Sequence, residues 1–368
     1  MRFYHMADIH LGAQPDRERP FSEQRRQEIW DTFRSVIRRA GQEKPDCLFI
    51  CGDLFHRQPL KRELREVDYL FSRIPDTAVF LMAGNHDYLK SNSAYDSFSW
   101  SPNVFFFRSE TVTAVHLERL NLTVYGNSYW DSRIREPLYD DFRPEEGTEQ
   151  GIRVLMTHGG DAEHIPMNYR KIRSRGFDYV AMGHIHRPGI YEDGAPYRSR
   201  GAMAYAGALE PLDVNDTGPH GYMEGRITFA EQPGAYRTEV CFVPAARRSY
   251  ISLPVELHEN MASIELEERI RQMMKEKGEE NLFRIILKGY RDPAFHPDRE
   301  RLLSLGNVVE AKDESRPAYD YEQLKQMYRG QLIGRFLESY GDGTLTREQE
   351  LGRRFGLEAL LETAGGKG

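Results

Sequence analysis

Residues 78–87 read AVFLMAGNHD. Six apolar residues in a row, 78–83, mark a buried strand. The tetrapeptide that follows, Gly84-Asn85-His86-Asp87, forms the loop at its tip. An amide, an imidazole and a carboxylate side by side could be no more than a turn, since Asn and Asp tolerate tight loops and Gly opens them. The surrounding chain argues otherwise. Further strands are expected at residues 2–7, 47–51, 122–125, 153–157 and 179–182. Between the first two, residues 22–42 place Ile29, Phe33, Val36, Ile37 and Ala40 at helical spacing, and residues 61–72 read as a second helix. This alternation predicts an α/β domain with helices on the faces of a sheet. From 201 to 243, short strands and Gly/Pro turns predict antiparallel strands completing the same domain, residues 1–245.

Most of the principal strands end in residues of one chemical kind. The first ends in Asp8-Ile9-His10, the second in GDLFH (52–56) and the third in GNHD. The 153–157 strand runs into His158 and the 179–182 strand into His184-Ile185-His186. Six of the twelve histidines fall in these five places. Singly, each is more often a turn than a site. Five in order, each after a strand, predict one crevice, because ligands of α/β sheets bind beyond the carboxyl ends of the strands. Carboxylate and imidazole together suit divalent ions such as Mn²⁺, Fe²⁺ or Zn²⁺. In extended chain, Asp8 and His10 point the same way and can reach one ion, and His184 and His186 repeat the arrangement. Asp8, His10, Asp53, Asn85, His158, His184 and His186 are enough donors for two ions bridged by one carboxylate. No thiolate takes part, which disfavours a structural zinc site. His5 is assigned to the first strand's packing. His116, His164, His220, His258 and His296 lack such a context and are set aside.

Composition sets the class. The chain has 368 residues, 39% hydrophobic and 29% charged, with net charge −7, so nucleic acid could be met only through a local basic patch. Arg57, Arg187 and the segment YRKIRSRG (169–176) are the candidates, a solvated helix face being the plain alternative for the last. Three cysteines without a CxxC pair, no signal peptide and no membrane-length apolar run predict a reducing, cytoplasmic setting.

Beyond Pro244 the pattern changes. Strands at 250–255, 282–289 and 307–311, with helices at 263–277 and 297–305, predict a small α+β domain, 246–314. Two helices are expected in the segment 315–368. The first carries Tyr321, Leu324, Tyr328, Leu332, Phe336 and Tyr340 on one stripe. The second opens with a capping-box pattern at Thr346–Gln349 and adds Leu351, Phe355, Leu357, Leu360 and Leu361. A charged linker ending in Pro317 precedes them, so the pair is expected to dock on a partner rather than on this chain.

The motifs MADIHLG, GDLFHRQPL, GNHDY and YVAMGHIHRP resemble those of the calcineurin-like metallophosphoesterases, and more narrowly SbcD-type DNA double-strand-break repair nucleases. The likeness is firm over residues 1–245. The stretch YAGALEPLDVNDTGPHGYMEG (205–225) departs from the best-known bacterial members, and GDLFH ends in His56 where many of them have Asp. The resemblance implies a sandwich of two central mixed sheets flanked by helices, a small α+β capping domain and C-terminal helices. It implies two divalent metal ions, Mn²⁺ expected, with Asp8, His10 and His186 on one, Asn85, His158 and His184 on the other, and Asp53 bridging. His86 would face the phosphate outside the metal shell, and His56 would contact substrate or support His86. Asp87 would brace its loop or orient an imidazole.

The resemblance also implies partners: DNA, an SbcC-type coiled-coil ATPase and a second copy in a homodimer. No membrane association is expected. Two ions ~3.5–4 Å apart answer the charge of a phosphodiester and provide hydroxide near neutral pH, and a histidine acid contributes ~10²–10⁴-fold. The competing reading is a calcineurin-like phosphatase or phosphodiesterase acting on a non-DNA phosphoester, since fold and metal motif do not separate these. A scaffold with a vestigial site is disfavoured by the complete donor set.

Overall fold

The computed structural model of the chain describes residues 1–145, 147, 151–191, 202–230, 236–341 and 343–365. They form two compact units, Met1–Ser252 with Lys277–Arg284, and Leu253–Glu276 with Ile285–Gly368.

The first unit contains two six-stranded sheets. Its strands are β1 (Arg2–Met6), β2 (Cys47–Cys51), β3 (Ala78–Met82), β4 (Val104–Phe106), β5 (Thr113–Leu117), β6 (Leu122–Gly126), β7 (Ile152–His158), β8 (Tyr179–Gly183), β9 (Gly189–Tyr191), β10 (Ala202–Tyr205), β11 (Gly221–Phe229) and β12 (Tyr236–Pro244). The first sheet has the order β12-β11-β1-β2-β3-β4 and the second β5-β6-β7-β8-β10-β9. Both are mixed. Parallel β1 to β4 carry the antiparallel hairpin β11–β12 at one side. In the second sheet β6, β7, β8 and β10 are parallel, with antiparallel strands at both edges.

The expected α/β sandwich of two mixed sheets is therefore the observed fold. The stretch 201–243 is only partly antiparallel. β10 turns back from β9 and so runs parallel to β8. Residues 206–212 form a loop with one bridge from Ala208 to Ala7.

The central strands β1, β2, β3, β6, β7 and β8 read as continuous apolar runs because they are covered on both faces. Phe3, Phe49, Phe80, Leu122, Val124, Val154, Met156, Tyr179 and Ala181 fill the layer between the sheets. On the outer face of the first sheet lie α1 (Ser22–Glu43) and α2 (Lys61–Ser72), which bury Ile29, Phe33, Val36, Ile37 and Ala40, and Leu64, Val67 and Phe71. Each of the Val, Leu, Ile and Phe side chains among these contributes about 1.5–3 kcal/mol. The short helix α3 (Tyr169–Arg173) adds Ile172 to the core outside the second sheet.

A buried ionic network ties α1 to the loop after β10. Arg25, fully buried, donates to Glu28 at 2.6 Å and to the Pro211 carbonyl at 2.8 Å, and lies 3.5 Å from Glu210. Glu210 accepts from the Thr32 hydroxyl at 2.5 Å and the Arg247 amide at 2.8 Å, and Arg248 closes the network on Glu28 at 2.8 Å.

A third sheet is formed by β13 (Tyr250–Leu257), β14 (Leu282–Arg291) and β15 (Val308–Asp313) and extended by the short β16 (Arg316–Pro317). Helices α4 (Ser263–Lys277) and α5 (Arg299–Leu303) accompany it. The C-terminal segment has three helices instead of two: α6 (Tyr321–Met327), α7 (Leu332–Glu338) and α8 (Arg347–Gly365). Gly330, at φ +79°, breaks the first expected helix. The expected single stripe is thereby folded on itself. Tyr321, Leu324, Tyr328 and Phe336 pack with Ile333, Leu337, Leu357, Leu360 and Leu361. Met327, Leu332 and Phe355 are left exposed. None of the described helices is long and apolar enough to cross a membrane.

Replacing Arg25 with Met removes the cation from a buried carboxylate pair. We expect this to cost about 3–5 kcal/mol, read as a lower urea midpoint at unchanged slope. An unchanged midpoint would show that the network contributes nothing to stability.

Candidate metal centre

The site is built from strand ends of both sheets. Asp8 and His10 follow β1, Asp53 and His56 follow β2, and Asn85 and His86 follow β3. His158 ends β7, and His184 and His186 follow β8. Backbone bonds lace the first turns together: the Asp8 amide donates to the Gly52 carbonyl at 3.2 Å and the His10 amide to the Asp53 carbonyl at 2.9 Å.

The extended-chain argument for Asp8 and His10 does not hold. Their φ angles are +49° and +51°, and Asp53 (+52°) and His184 (+95°) share the left-handed region. Such conformations in non-glycine residues cost about 1–3 kcal/mol each and cluster at functional sites. The turns deliver what alternation was expected to. They also separate His184 from His186, which do not serve one donor group.

One group gathers Asp8, His10 and His186, with donor atoms within 4.8 Å of one another. Nε2 of His10 and Nε2 of His186 are 3.3 Å apart. In a second group, Asn85 Oδ1 lies 2.9 Å from His158 Nε2 and 3.2 Å from His184 Nδ1. Asp53 stands between the groups. Its Oδ2 is 3.7 Å from His10 Nε2 and 3.5 Å from His158 Nε2, while Oδ1 accepts the His86 amide at 2.8 Å. Ring nitrogens face each other here with carboxylates at hand, an arrangement that requires protons or cations at its centre. The donor set suits divalent ions.

His56 and His86 lie to one side, their rings stacked at 5.1 Å, and His56 Nδ1 is 3.3 Å from His10 Nδ1. His86 is exposed, and its Nδ1 is 3.2 Å from the His56 carbonyl. Asp87 braces its loop: its carboxylate accepts from the Gly84 and Phe55 amides and the Tyr95 hydroxyl. Gly84 is required, because a Cβ there would overlap the Asp53 carboxylate.

Burial drives the charges of the site apart. It raises Asp8 to about 6 and lowers His184 to about 4. For His158 burial acts downward, yet the Asp53 carboxylate outweighs it and lifts the imidazole to about 9. His186 is also lifted to about 9, burial being outweighed by its bond to Asp216 and the charge of Asp8. Both rings hold a proton at neutral pH unless a cation displaces it. Binding a divalent ion therefore releases protons and tightens as the pH rises.

Three residues of the site were not read from the sequence. Asp161 lies 2.8 Å from His184 Nε2, and His164, set aside above, lies 2.9 Å from Asp161. Asp216 lies 3.1 Å from His186 Nδ1. The available signal was a carboxylate three residues beyond His158 and another in the divergent 205–225 stretch. His5 is a core residue bonded to the Tyr179 hydroxyl at 2.7 Å. The basic candidates are mostly engaged: Arg57 pairs with Glu63, Lys171 and Arg175 lie against Asp141, and Arg173 reaches the Tyr191 carbonyl. Arg187, beside His186, is exposed.

Residues 1–188 match the sequence profile of the calcineurin-like phosphoesterases. An uncharacterized metallophosphoesterase, YhaO of Bacillus subtilis, is 26% identical over 246 residues, covering 62% of this chain and 58% of that protein. The DNA double-strand break repair protein Mre11 of Methanocaldococcus jannaschii is 28% identical over 228 residues, 59% of this chain and 58% of that one. Mre11 of Archaeoglobus fulgidus is 25% identical over 396 aligned positions, 98% of this chain and 80% of that one. The chain thus spans less than two thirds of the length of the first two. A profile match over half the chain, on a two-sheet fold with clustered Asp, Asn and His donors at its strand ends, makes this protein a member of the calcineurin-like phosphoesterase family, hydrolases that cleave phosphoesters with a dinuclear divalent metal site.

Proposed function

We propose that the protein is a metal-dependent DNA nuclease of the SbcD type that works with an SbcC-type coiled-coil ATPase. The observation that carries this reading is the alignment to a DNA double-strand break repair protein over 98% of the chain, beyond the phosphoesterase core and through the second unit. A phosphoesterase for small substrates has no need of that second unit. The equally similar YhaO leaves a non-DNA phosphoester as the alternative substrate.

In this reading Asp8, His10 and His186 hold one divalent ion, Asn85, His158 and His184 the other, and Asp53 both, with Mn²⁺ as the expected metal. Divalent ions held there would screen the phosphodiester charge and make hydroxide available near neutral pH. His86 Nδ1 faces the His56 carbonyl and donates its N–H there, so in the imidazolium form Nε2–H is the proton that passes to the departing sugar oxygen, leaving the neutral Nδ1–H ring. Stacking on His56 holds the ring plane. Asp53 fixes the His86 backbone through its other oxygen, so the loop that carries the acid is set by the bridging ligand. Arg187 offers a contact to a neighbouring backbone phosphate, which positions DNA without reading its sequence.

With Mn²⁺ present, we expect duplex DNA to be cleaved in preference to a generic aryl phosphodiester, and Asp53→Asn to abolish cleavage while the protein stays folded. Preference for the aryl ester would favour the alternative. A folded Asp53→Asn variant with near-full activity would remove the bridging role.

For His86→Gln, turnover should fall by the ~10²–10⁴-fold of a lost general acid, with both ions still bound by elemental analysis. Loss of an ion would make His86 a ligand instead.

The ATPase partner is assigned to the apolar side chains that the C-terminal helices leave exposed, Leu332 at 70% and Phe355 at 57%. The double variant Leu332→Glu/Phe355→Glu is expected to cleave short DNA normally but to lose co-purification with a co-expressed ATPase of that type. Equal recovery of the ATPase by both proteins would move its docking site elsewhere.

A further inference from the structure

Two carboxylates outside the expected ligand set lie against the histidines that would hold the ions. We infer that Asp161 and Asp216 are positioning residues, each fixing the tautomer and ring plane of one metal-binding histidine, Asp161 for His184 and Asp216 for His186. The inference rests on the ligand assignment proposed above.

The two histidines turn opposite nitrogens toward the donor groups. His184 presents Nδ1 to Asn85, and His186 presents Nε2 to His10. A neutral imidazole carries one N–H, and its other nitrogen has the lone pair a cation needs. His184 must therefore be the Nε2–H tautomer and His186 the Nδ1–H tautomer. Each has its acceptor in place: Asp161 Oδ2 is 2.8 Å from His184 Nε2, and Asp216 Oδ2 is 3.1 Å from His186 Nδ1. His158 solves the same problem with a backbone group, its Nδ1 lying 2.8 Å from the Cys51 carbonyl. That solution is open to it because it ends a strand beside β2. His184 and His186 lie beyond the sheet and take side-chain acceptors.

Both carboxylates are held before they act. Asp161 Oδ1 accepts the Glu163 and His164 amides at 2.8 and 2.9 Å, while Oδ2 faces His184 Nε2 at 2.8 Å and His164 Nδ1 at 3.0 Å. His164 Nδ1 also lies 2.9 Å from Oδ1. Asp216 accepts the Leu212 amide at 3.0 Å and the Asp213 amide at 3.3 Å. Its loop is anchored by the Arg25 bond to Pro211 and by the buried Glu210. The stretch that departs from the best-known bacterial members thus delivers an orienting carboxylate. The Asp161 side chain is 46% exposed and that of Asp216 15%, so solvent weakens the first contact more.

The test is Mn²⁺ titration of the full chain by electron paramagnetic resonance, with histidine side-chain nitrogen NMR of the Zn²⁺-loaded protein. Wild type should bind two ions, and His184→Ala and His186→Ala one each. Asp161→Ala and Asp216→Ala should still bind two, with one site weakened ~10–100-fold and the larger loss in Asp216→Ala. Asp161→Asn and Asp216→Asn, which keep an acceptor, should recover part of the affinity, and they serve if an alanine variant does not fold. In the NMR spectra the His184 Nε2–H and His186 Nδ1–H signatures should be lost or mixed in the corresponding Ala variant only. Wild-type affinity and tautomers in both Ala variants, with the His variants each losing an ion, would overturn the positioning roles and leave the ligand assignment standing. Loss of a whole ion on removing Asp161 or Asp216 would overturn them too, by making that carboxylate a ligand. Two ions retained by both His variants would overturn the ligand assignment itself.

Discussion

Asp53 is a buried carboxylate, 2% exposed, whose charge has to be met by its neighbours. An isolated buried charge is too costly to persist, so its surroundings must supply partners or take its proton away. Here the partners are the imidazoles of His10 and His158 and the main-chain amide of His86. Together they hold its pKa well below the usual carboxylate range against the opposing pull of burial. These contacts join strand ends of both sheets, since His158 belongs to the second sheet and the rest to the first. The left-handed turns at Asp8, His10 and Asp53, and the bare backbone at Gly84, are what allow the groups to approach so closely.

The scaffold makes that approach possible at a distance. The apolar layer between the sheets aligns their strand ends, and strain at four non-glycine turns persists because the packing on both sides over-determines it. The buried Arg25 network extends the same logic to the loop after β10. That loop has no regular structure to hold it, and ionic contacts inside the protein do so instead. The consequence is that Asp216, far along the chain from the other site residues, has a defined place beside His186.

The core chemistry and the substrate are answered by different parts of the chain. A shared phosphoesterase core supports cleavage of many phosphoesters, and what a family member acts on lies in what surrounds that core. In this protein the chain adds to that core Arg187, next to His186, and, separately, a second unit whose C-terminal helices consume most of their apolar residues among themselves. Charge near the site is sparser than the sequence suggests, because much of the basic 169–176 segment and Arg57 are engaged by acidic groups or carbonyls.

Much of this was legible in residue order alone. The buried strands announce themselves as short apolar runs, and α1 and α2 by their periodicity, because those patterns depend on local geometry and on which faces are covered. The clustering of Asp8, His10, Asp53, Asn85, His158, His184 and His186 was legible because each ends such a run or lies a few residues beyond it. Other features depend on contacts between residues far apart in sequence, which no local pattern records. These include the partition of His184 from His186, set by a positive φ and by the bond of its amide to Asp8. They include the parallel run of β10, the self-packing of the C-terminal stripe around a helix break at Gly330, and the pairing of Asp161 and Asp216 with their histidines. Sequence by itself pointed to a set of candidate metal-binding side chains at the strand ends. Tertiary structure decided which nitrogen of each histidine faces inward, because that depends on the acceptor the fold sets behind the ring.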